Sequence, residues 1–345
     1  MIVIPEWPHY LGEPEHTGVI RSCPEDFVVE EIPRVMPEGE GSHLWLWVEK
    51  RSANTDWVAR ELAKIACCPH RDVGYAGLKD RHAVTRQWFS VPASDDTGQQ
   101  FADIAVEGVK VLEHHRHTRK LKRGTLDGNR FQLVIRELQG DTGQLEQRLQ
   151  KTCTNGVPNY FGPQRFGHGG RNVEKGLDLL TKRVRLQRNK RSIYLSALRS
   201  FLFNHVLAGR VRSGTWNTMI DGDLAMLNGT QSIFPCEIAD KEIEERCKRL
   251  DIHPTGPMPG ENGTQPMGSA AELEKEVLQG WPELLEVLVS QRVQASRRAL
   301  RLFPAELEWN IAGDDLELAF TLPPGAYATT VLRELVLVTE PQRNQ

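Results

Sequence analysis

The sequence predicts a mixed α/β protein of the α+β kind, folded as two domains. Three observations carry this. The chain has 345 residues, room for two domains at roughly 100–200 residues each. Apolar residues alternating with period two recur through the N-terminal part and return near the C-terminus, the signature of half-buried strands. Between them lie helical spacing and a tract rich in Gly and Pro. The expected organisation is one α/β domain made of residues 1–157 and 304–345, with a mostly helical domain of residues 158–303 inserted.

The elements follow in order. Residues 26–32, DFVVEEI, form a short β-branched run after Pro24. In 43–50, HLWLWVEK, Leu44, Leu46 and Val48 face one way and Trp45 and Trp47 the other. Asn54 and Asp56 can cap a helix with Val58, Leu62 and Ile65 on one face. Residues 86–92 read as another strand, and 130–136 as a further one with Phe131, Leu133 and Ile135 on one side. Residues 158–172 are rich in Gly, Asn and aromatics without periodicity. Residues 192–212 spell a helix capped by Ser192, with Leu198, Phe201, Leu202 and Val206 as its apolar face. Residues 253–269 read as a long Pro/Gly loop and 270–302 as helix broken at Pro282. In 316–322, Leu316, Leu318, Phe320 and Leu322 point inward; Pro323-Pro324-Gly325 turns the chain, and 330–338 form a short helix or strand.

The net charge of −3 conceals an asymmetry. Residues 110–210 hold 21 Lys or Arg against 7 Asp or Glu; the remainder holds 22 against 39. Two runs stand out. One is Arg116, Arg119, Lys120, Lys122 and Arg123, with His114, His115 and His117 beside them. The other is Lys182, Arg183, Arg185, Arg188, Lys190 and Arg191. Such a field repels itself unless a polyanion relieves it. Nucleic acid is the partner it predicts, held on one face because the acidic remainder repels the same polymer.

Six cysteines at 23, 67, 68, 153, 236 and 247 form no CxxC pair. Cys67-Cys68-Pro69-His70 lacks the two spaced ligand pairs of a structural zinc site, so no metal is expected, and free thiols suit a reducing compartment. No stretch approaches the ~18 apolar residues of a membrane span. The start, MIVIPEWPHY, has neither the basic nor the long apolar region of a secretory signal. The expectation is a soluble cytoplasmic protein. No heptad or large apolar stripe argues for a dimer, so a monomer is expected.

The segment with most chemistry is 74–85, GYAGLKDRHAVT, between two strands. It gathers Lys79, Asp80, Arg81 and His82 between glycines and Thr85. A carboxylate between two cations stays ionised and can serve as nucleophile, general base or metal ligand. A polar turn with surface ion pairs is the other reading of the same residues.

This segment, continued as GYAGLKDRHAVTRQWFSV, resembles the active-site motif of the TruD family of tRNA pseudouridine synthases. So do CPEDFVVEE at 23–31, GNRFQLVIR at 128–136, VPNYFGPQRFGHGGRN at 157–172 and LPPGAYATTVLREL at 322–335, in family order. Residues 212–270 carry no matching motif. The resemblance implies a pseudouridine synthase-like mixed sheet with helices, an inserted TRUD-type domain, and a V-shaped arrangement with an RNA cleft. It also implies a cofactor-free isomerisation of a tRNA uridine, in the D arm at position 13 in bacterial members. The base is detached, turned and rejoined through C5.

On the same resemblance Asp80 is the catalytic carboxylate, by a nucleophilic or a glycal route, and Arg21 its basic partner. Phe131 stacks on the target base, although its register with Leu133 and Ile135 also suits a core residue. Asn129 reads the base or orients Asp80, and Phe27 adds a stacking surface. Lys79 and Arg81 hold phosphates or tune the field. A base inside folded RNA must be flipped out, at a cost of a few kcal/mol, which aromatic stacking offsets. Tyr160, Phe161, Arg165 and Phe166 are expected to line the RNA cleft, with a buried hinge as the other reading. Arg119, Lys120, Lys122, Lys182, Arg183 and Arg185 complete the expected RNA contacts. A non-catalytic RNA-binding protein or chaperone is the alternative. A metal-dependent nuclease is disfavoured, because Asp95 and Asp96 give Asp80 no ordered carboxylate cluster.

Overall fold

A computed structural model describes residues 2–93, 98–101, 104–181 and 187–341. The elements begin with β1 (Thr17–Ile20), β2 (Phe27–Pro33), β3 (His43–Arg51), α1 (Thr55–Ile65), β4 (Gly74–Tyr75), β5 (Val84–Pro92), β6 (Val109–His117) and β7 (Leu126–Gln139). Then come α2 (Thr142–Asn155), β8 (Val157–Pro158), α3 (Pro163–Phe166), α4 (Arg171–Thr181), α5 (Arg188–Arg212), β9 (Leu224–Leu227), β10 (Ile233–Pro235), α6 (Lys241–Lys248) and β11 (Ile252–Met258). The chain ends with α7 (Gly268–Leu278), α8 (Pro282–Ser290), β12 (Ser296–Ala299), β13 (Arg301–Leu302), β14 (Ala305–Ala312), β15 (Asp315–Leu322), α9 (Ala328–Leu332) and β16 (Leu337–Thr339). The mixed α/β class is therefore as the sequence predicts.

The chain packs as two compact units. One comprises residues 15–146, 304–326 and 336–345; the other comprises 1–14, 147–303 and 327–335. The second thus takes in both an N-terminal strap and the α9 segment. In it, Tyr10 donates its backbone N–H to Glu334, and Arg333 donates to the Trp7 carbonyl. Trp7 stacks on Tyr160.

The first unit is built on one mixed sheet of ten strands among the described residues, with the central order β14-β15-β7-β2-β5-β3-β6. β2 and β5 run parallel and the other neighbours in this row antiparallel. The register aligns Phe320, Phe131, Val29, Thr85 and Lys50 across five strands. Leu44, Leu46, Val48, Phe89 and Val91 bury against Val58, Ala59, Leu62 and Ala63 of α1. Trp45, Trp88 and Leu121 form a separate cluster flanked by Trp47. The strict alternation of β3 thus sends its leucines and its tryptophans to opposite faces, as expected.

In the other unit helical residues outnumber strand residues, and β10-β9-β11-β12 form a four-stranded sheet beside the helices. It departs from the sequence reading in three places. The expected loop at 253–269 begins as β11, buried and paired on both sides. Its punctuating residues fit because a Cβ on Gly256 would stand 2.8 Å from Leu300, so close packing demands glycine there. Helix stops at Ser290; Ser296–Ala299 and Arg301–Leu302 are strands, paired with β11 and β8. Finally, α5 starts four residues before Ser192, after Gln187. Its exposed basic first turns show no apolar period, so the sequence hides its start.

Candidate active site

The loop of residues 76–83 leaves β4 and enters β5. Its backbone is tied to polar side chains on the α1 face of the sheet. Thr55, at the start of α1, accepts the Lys79 N–H at 3.0 Å and donates to Gln87. Gln87 donates to the Gly77 carbonyl at 3.0 Å. Lys50 Nζ donates to the Asp80 carbonyl at 2.7 Å. Lys79 turns inward to pair with buried Glu31 at 2.8 Å. Thr55, Gln87, Glu31 and Lys50 are all buried. A buried polar group is costly unless bonded, so these residues and the loop satisfy one another and the loop is held in one shape.

Asp80 is the side chain this frame presents. Its carboxylate is 43% exposed and meets Arg21 Nη2 at 3.2 Å. Arg21 is buried, at φ +57. That left-handed conformation costs a non-glycine residue roughly 1 kcal/mol, and the contacts of its side chain hold it. The guanidinium bridges Asp80 and Glu340 and lies 4.0 Å above the Phe27 ring. The Glu340 contact follows from topology. β1 and β16 are parallel with Val19 opposite Thr339, so the residues just past both strands meet.

Beneath Arg21 is a short aromatic stack. Phe27 meets Phe131 edge-on at 6.3 Å, and Phe131 stacks on Phe320 at 5.5 Å. Phe27 is 2% exposed and Phe131 6%. Asn129 lies two residues along β7 from Phe131, opposite Glu31 and Leu322. Its Oδ1 is buried and finds no hydrogen-bond partner among the described residues. Burial pushes the Lys50 ammonium down to a pKa of about 8, against the pull of the Asp80 charge.

The structure therefore brings Asp80, Arg21, Phe27, Phe131 and Asn129 into one unit, on or beside one sheet face. It corrects several expectations. Phe27 has one face covered by Arg21 and packs against Phe131, so it supports the arginine and has no free face for a base. Lys79 is buried against Glu31 and is not available to a phosphate; Arg81 is exposed. Phe166 is 1% exposed, packed edge-on against Phe201 within an apolar cluster that also holds Tyr160 and Phe161. These rings form the core of their unit because each buries ~150–250 Å² of largely apolar surface. Arg165 is half-buried, bonded to Ser196 and to the Tyr327 hydroxyl. Arg119 and Lys122 are exposed, and Lys120 donates to the Arg71 carbonyl. Lys182, Arg183 and Arg185 lie outside the described residues, as do Asp95 and Asp96.

Sequence reasoning passed over Lys50, Glu31, Thr55, Gln87, Phe320 and Glu340. One signal was available: Lys50 continues the inward series Leu44, Leu46, Val48 of β3, where a cation is out of place. Glu340 has none, because only the pairing of two chain ends brings it in.

Fold and site together define an α/β enzyme scaffold in which an anchored loop presents a carboxylate to a buried arginine. Comparison with known proteins names the kind. The family description "tRNA pseudouridine synthase D (TruD)" matches residues 8–185 and 173–335. The chain is 47% identical over 331 residues to tRNA pseudouridine synthase D of Methylococcus capsulatus, covering 95% of this chain and 94% of that protein. It is 45% identical over 338 residues to the protein of that name from Nitrosococcus oceani, covering 96% and 94%. A crystal structure described as a TruD protein from Methanosarcina mazei shares the fold, with a TM-score of 0.73 at 21% identity over 97% of this chain and 95% of the other. The chain belongs to the tRNA pseudouridine synthase D (TruD) family. No helix among the described residues is long and apolar enough to cross a membrane.

Proposed function

We propose that this protein is a tRNA pseudouridine synthase that isomerises a uridine of the D arm, at position 13, with Asp80 as the catalytic carboxylate. The observation that carries it is the Asp80–Arg21 pair at 3.2 Å on a loop fixed by Lys50, Thr55, Gln87 and Glu31. The reaction is balanced within the nucleotide and its solvent. The C1′–N1 bond breaks and a C1′–C5 bond forms; the C5 proton leaves to water and N1 gains one. Asp80 starts it by attacking the ribose or by taking a ribose proton, and is regenerated either way, so no cofactor enters.

The remaining residues divide the work. Arg21 keeps the carboxylate oriented, with a fork-shaped charge that a lysine would not reproduce. Phe131, buried against Phe27 and Phe320, backs the site from within the sheet. The unpartnered Asn129 Oδ1 is an acceptor for a uracil N–H, and leaving such an atom unpaired costs about 1–3 kcal/mol until a donor arrives. Arg81, Arg119, Lys120, Lys122 and Arg165, with Lys182, Arg183 and Arg185, neutralise phosphates. At α5, Arg188, Lys190 and Arg191 sit in the first turn, where the helix dipole favours anions over cations; a bound phosphate would relieve that conflict. We assign chemistry to the ten-stranded unit and part of the RNA grip to the inserted residues 158–303, in a monomer acting in the cytoplasm.

The test is unmodified tRNA carrying tritium at uridine C5. Release of tritium to water from intact RNA supports the synthase. Shortened RNA means a nuclease, and binding with neither outcome means a non-catalytic RNA binder; each would end the proposal.

A further inference from the structure

Lys50 is a lysine in the wrong place for stability. It extends the inward series of β3 and is 0% exposed. Among the described residues no carboxylate oxygen lies within ion-pair distance of its ammonium, whose hydrogen bond goes to a main-chain carbonyl, that of Asp80, at 2.7 Å. From β5 it faces neutral Thr85, and from β6 Val109. The charged groups bearing on it are Asp80 and Lys79 of the loop, the latter paired with Glu31 of β2. Burying a lone charge costs several kcal/mol. A methionine would fill the same volume without that penalty, so folding gives no reason for a cation here.

We propose that Lys50 is a positioning residue for the isomerisation: its ammonium, when charged, fixes the Asp80 main chain through the carbonyl. This rests on the reading of Asp80 given above. The carbonyl bond decides where the Cα–Cβ bond of residue 80 points, and so whether the carboxylate meets Arg21.

The same burial ties activity and stability to pH in opposite senses. Lys50 must be charged to act, and its pKa is near 8, so turnover falls as pH rises through that value. The folded state holds this proton more weakly than the unfolded chain does, so stability contributed at this site rises between about pH 8 and the ordinary lysine value of about 10.4.

Lys50→Met in the full chain is the test, with Lys50→Arg as the charge-keeping variant. We expect kcat for tritium release to fall about 100-fold, as for a ~1 Å misplacement of a reacting group. The Kd for tRNA stays within about threefold and Tm is unchanged or higher. Lys50→Arg recovers part of the rate, and the fall above pH 8 vanishes from the residual rate of Lys50→Met. Amide hydrogen exchange supplies a readout independent of turnover: residues 77–82 exchange about tenfold faster in Lys50→Met while β5 and β7 are unchanged. Wild-type turnover in Lys50→Met, or a lost rate that tracks a lowered Tm, overturns the inference. If wild-type protein releases no tritium, the synthase reading fails. The exchange result then still decides whether Lys50 holds the loop, and equal exchange in both proteins refutes that.

Discussion

Two segments look alike in the sequence. GYAGLKDRHAVT at 74–85 and NYFGPQRFGHGG at 159–170 both mix glycines, aromatics and cations without periodicity, and both invite a functional reading. They are anchored in opposite ways. In the first, main-chain groups are bonded to buried polar side chains, and Leu78, Asp80, Arg81 and His82 stand outward. In the second, the aromatic side chains themselves are the anchor, buried with Phe201 and Phe203, and the glycines turn the chain between them. A loop held by its backbone can turn its side chains outward, whereas a loop held by its rings has spent them on packing.

Substitutions can break that contrast or sharpen it. The largest effect is expected from Asp80→Asn, which keeps the shape and removes the charge. Tritium release should drop by at least ~10⁴-fold, more than 5 kcal/mol of transition-state stabilisation, with tRNA binding within about threefold. Retained turnover would remove Asp80 from its role. In the ring-anchored segment Phe166→Ala should instead cost ~3–5 kcal/mol of stability by opening a cavity, read as a lowered denaturant midpoint. The activity per folded molecule should stay within twofold of wild type, and a selective loss of activity without loss of stability would reverse the contrast. Arg21→Met should lower kcat by about 100-fold, since it leaves Asp80 and Glu340 facing each other without the hydrogen bonds to a charged group that each typically contribute ~1.5–3 kcal/mol; Arg21→Lys should recover part of it.

A smaller effect separates the two units by pH. In the unit that holds residues 159–170, burial pushes His205 and His253 down to about 4. His253 accepts from Arg301 on Nδ1 and donates from Nε2 to Asn228, so its neutral form is built into the packing. The unfolded chain takes up these protons near the ordinary histidine pKa of about 6.5 and the folded chain does not. Stability is therefore lost as pH falls from that value toward 4, by about 1–2 kcal/mol in all after allowance for partial solvent access. Urea melts of wild type and His253→Gln at pH 7 and 5 check this: the variant should lose less between the two. The smallest effect lies in the basic run. Replacing Lys182, Arg183 and Arg185 by Ala should flatten the slope of log Kd against log salt by ~0.7–0.9 for each phosphate no longer neutralised, with kcat unchanged.

The outcome of each sequence expectation follows from how local its cause was. The strands of the ten-stranded sheet are legible because alternation is a property of neighbours: Leu44, Leu46 and Val48 against Trp45 and Trp47, or Leu316 through Leu322. The 253–269 stretch misleads because Pro and Gly are local punctuation, and their place in β11 is settled by Leu300 and Phe203 packing on Gly256. Phe27 and Phe166 mislead for a related reason. A phenylalanine beside an arginine is written the same way whether its face is open or covered.

Composition and order alone settle the mixed α/β class, the basic stretch, and the concentration of chemistry around Asp80, since all three depend on which residues stand next to which. Only the folded chain decides what Asp80 meets. Arg21 and Lys50 reach Asp80, Glu340 reaches Arg21 and Glu31 reaches Lys79, from four separate strands or their ends, and parallel and antiparallel register brings each pair within a few ångströms. Electrostatic and hydrogen-bond energies fall off over that distance, so the site exists in space and not along the chain.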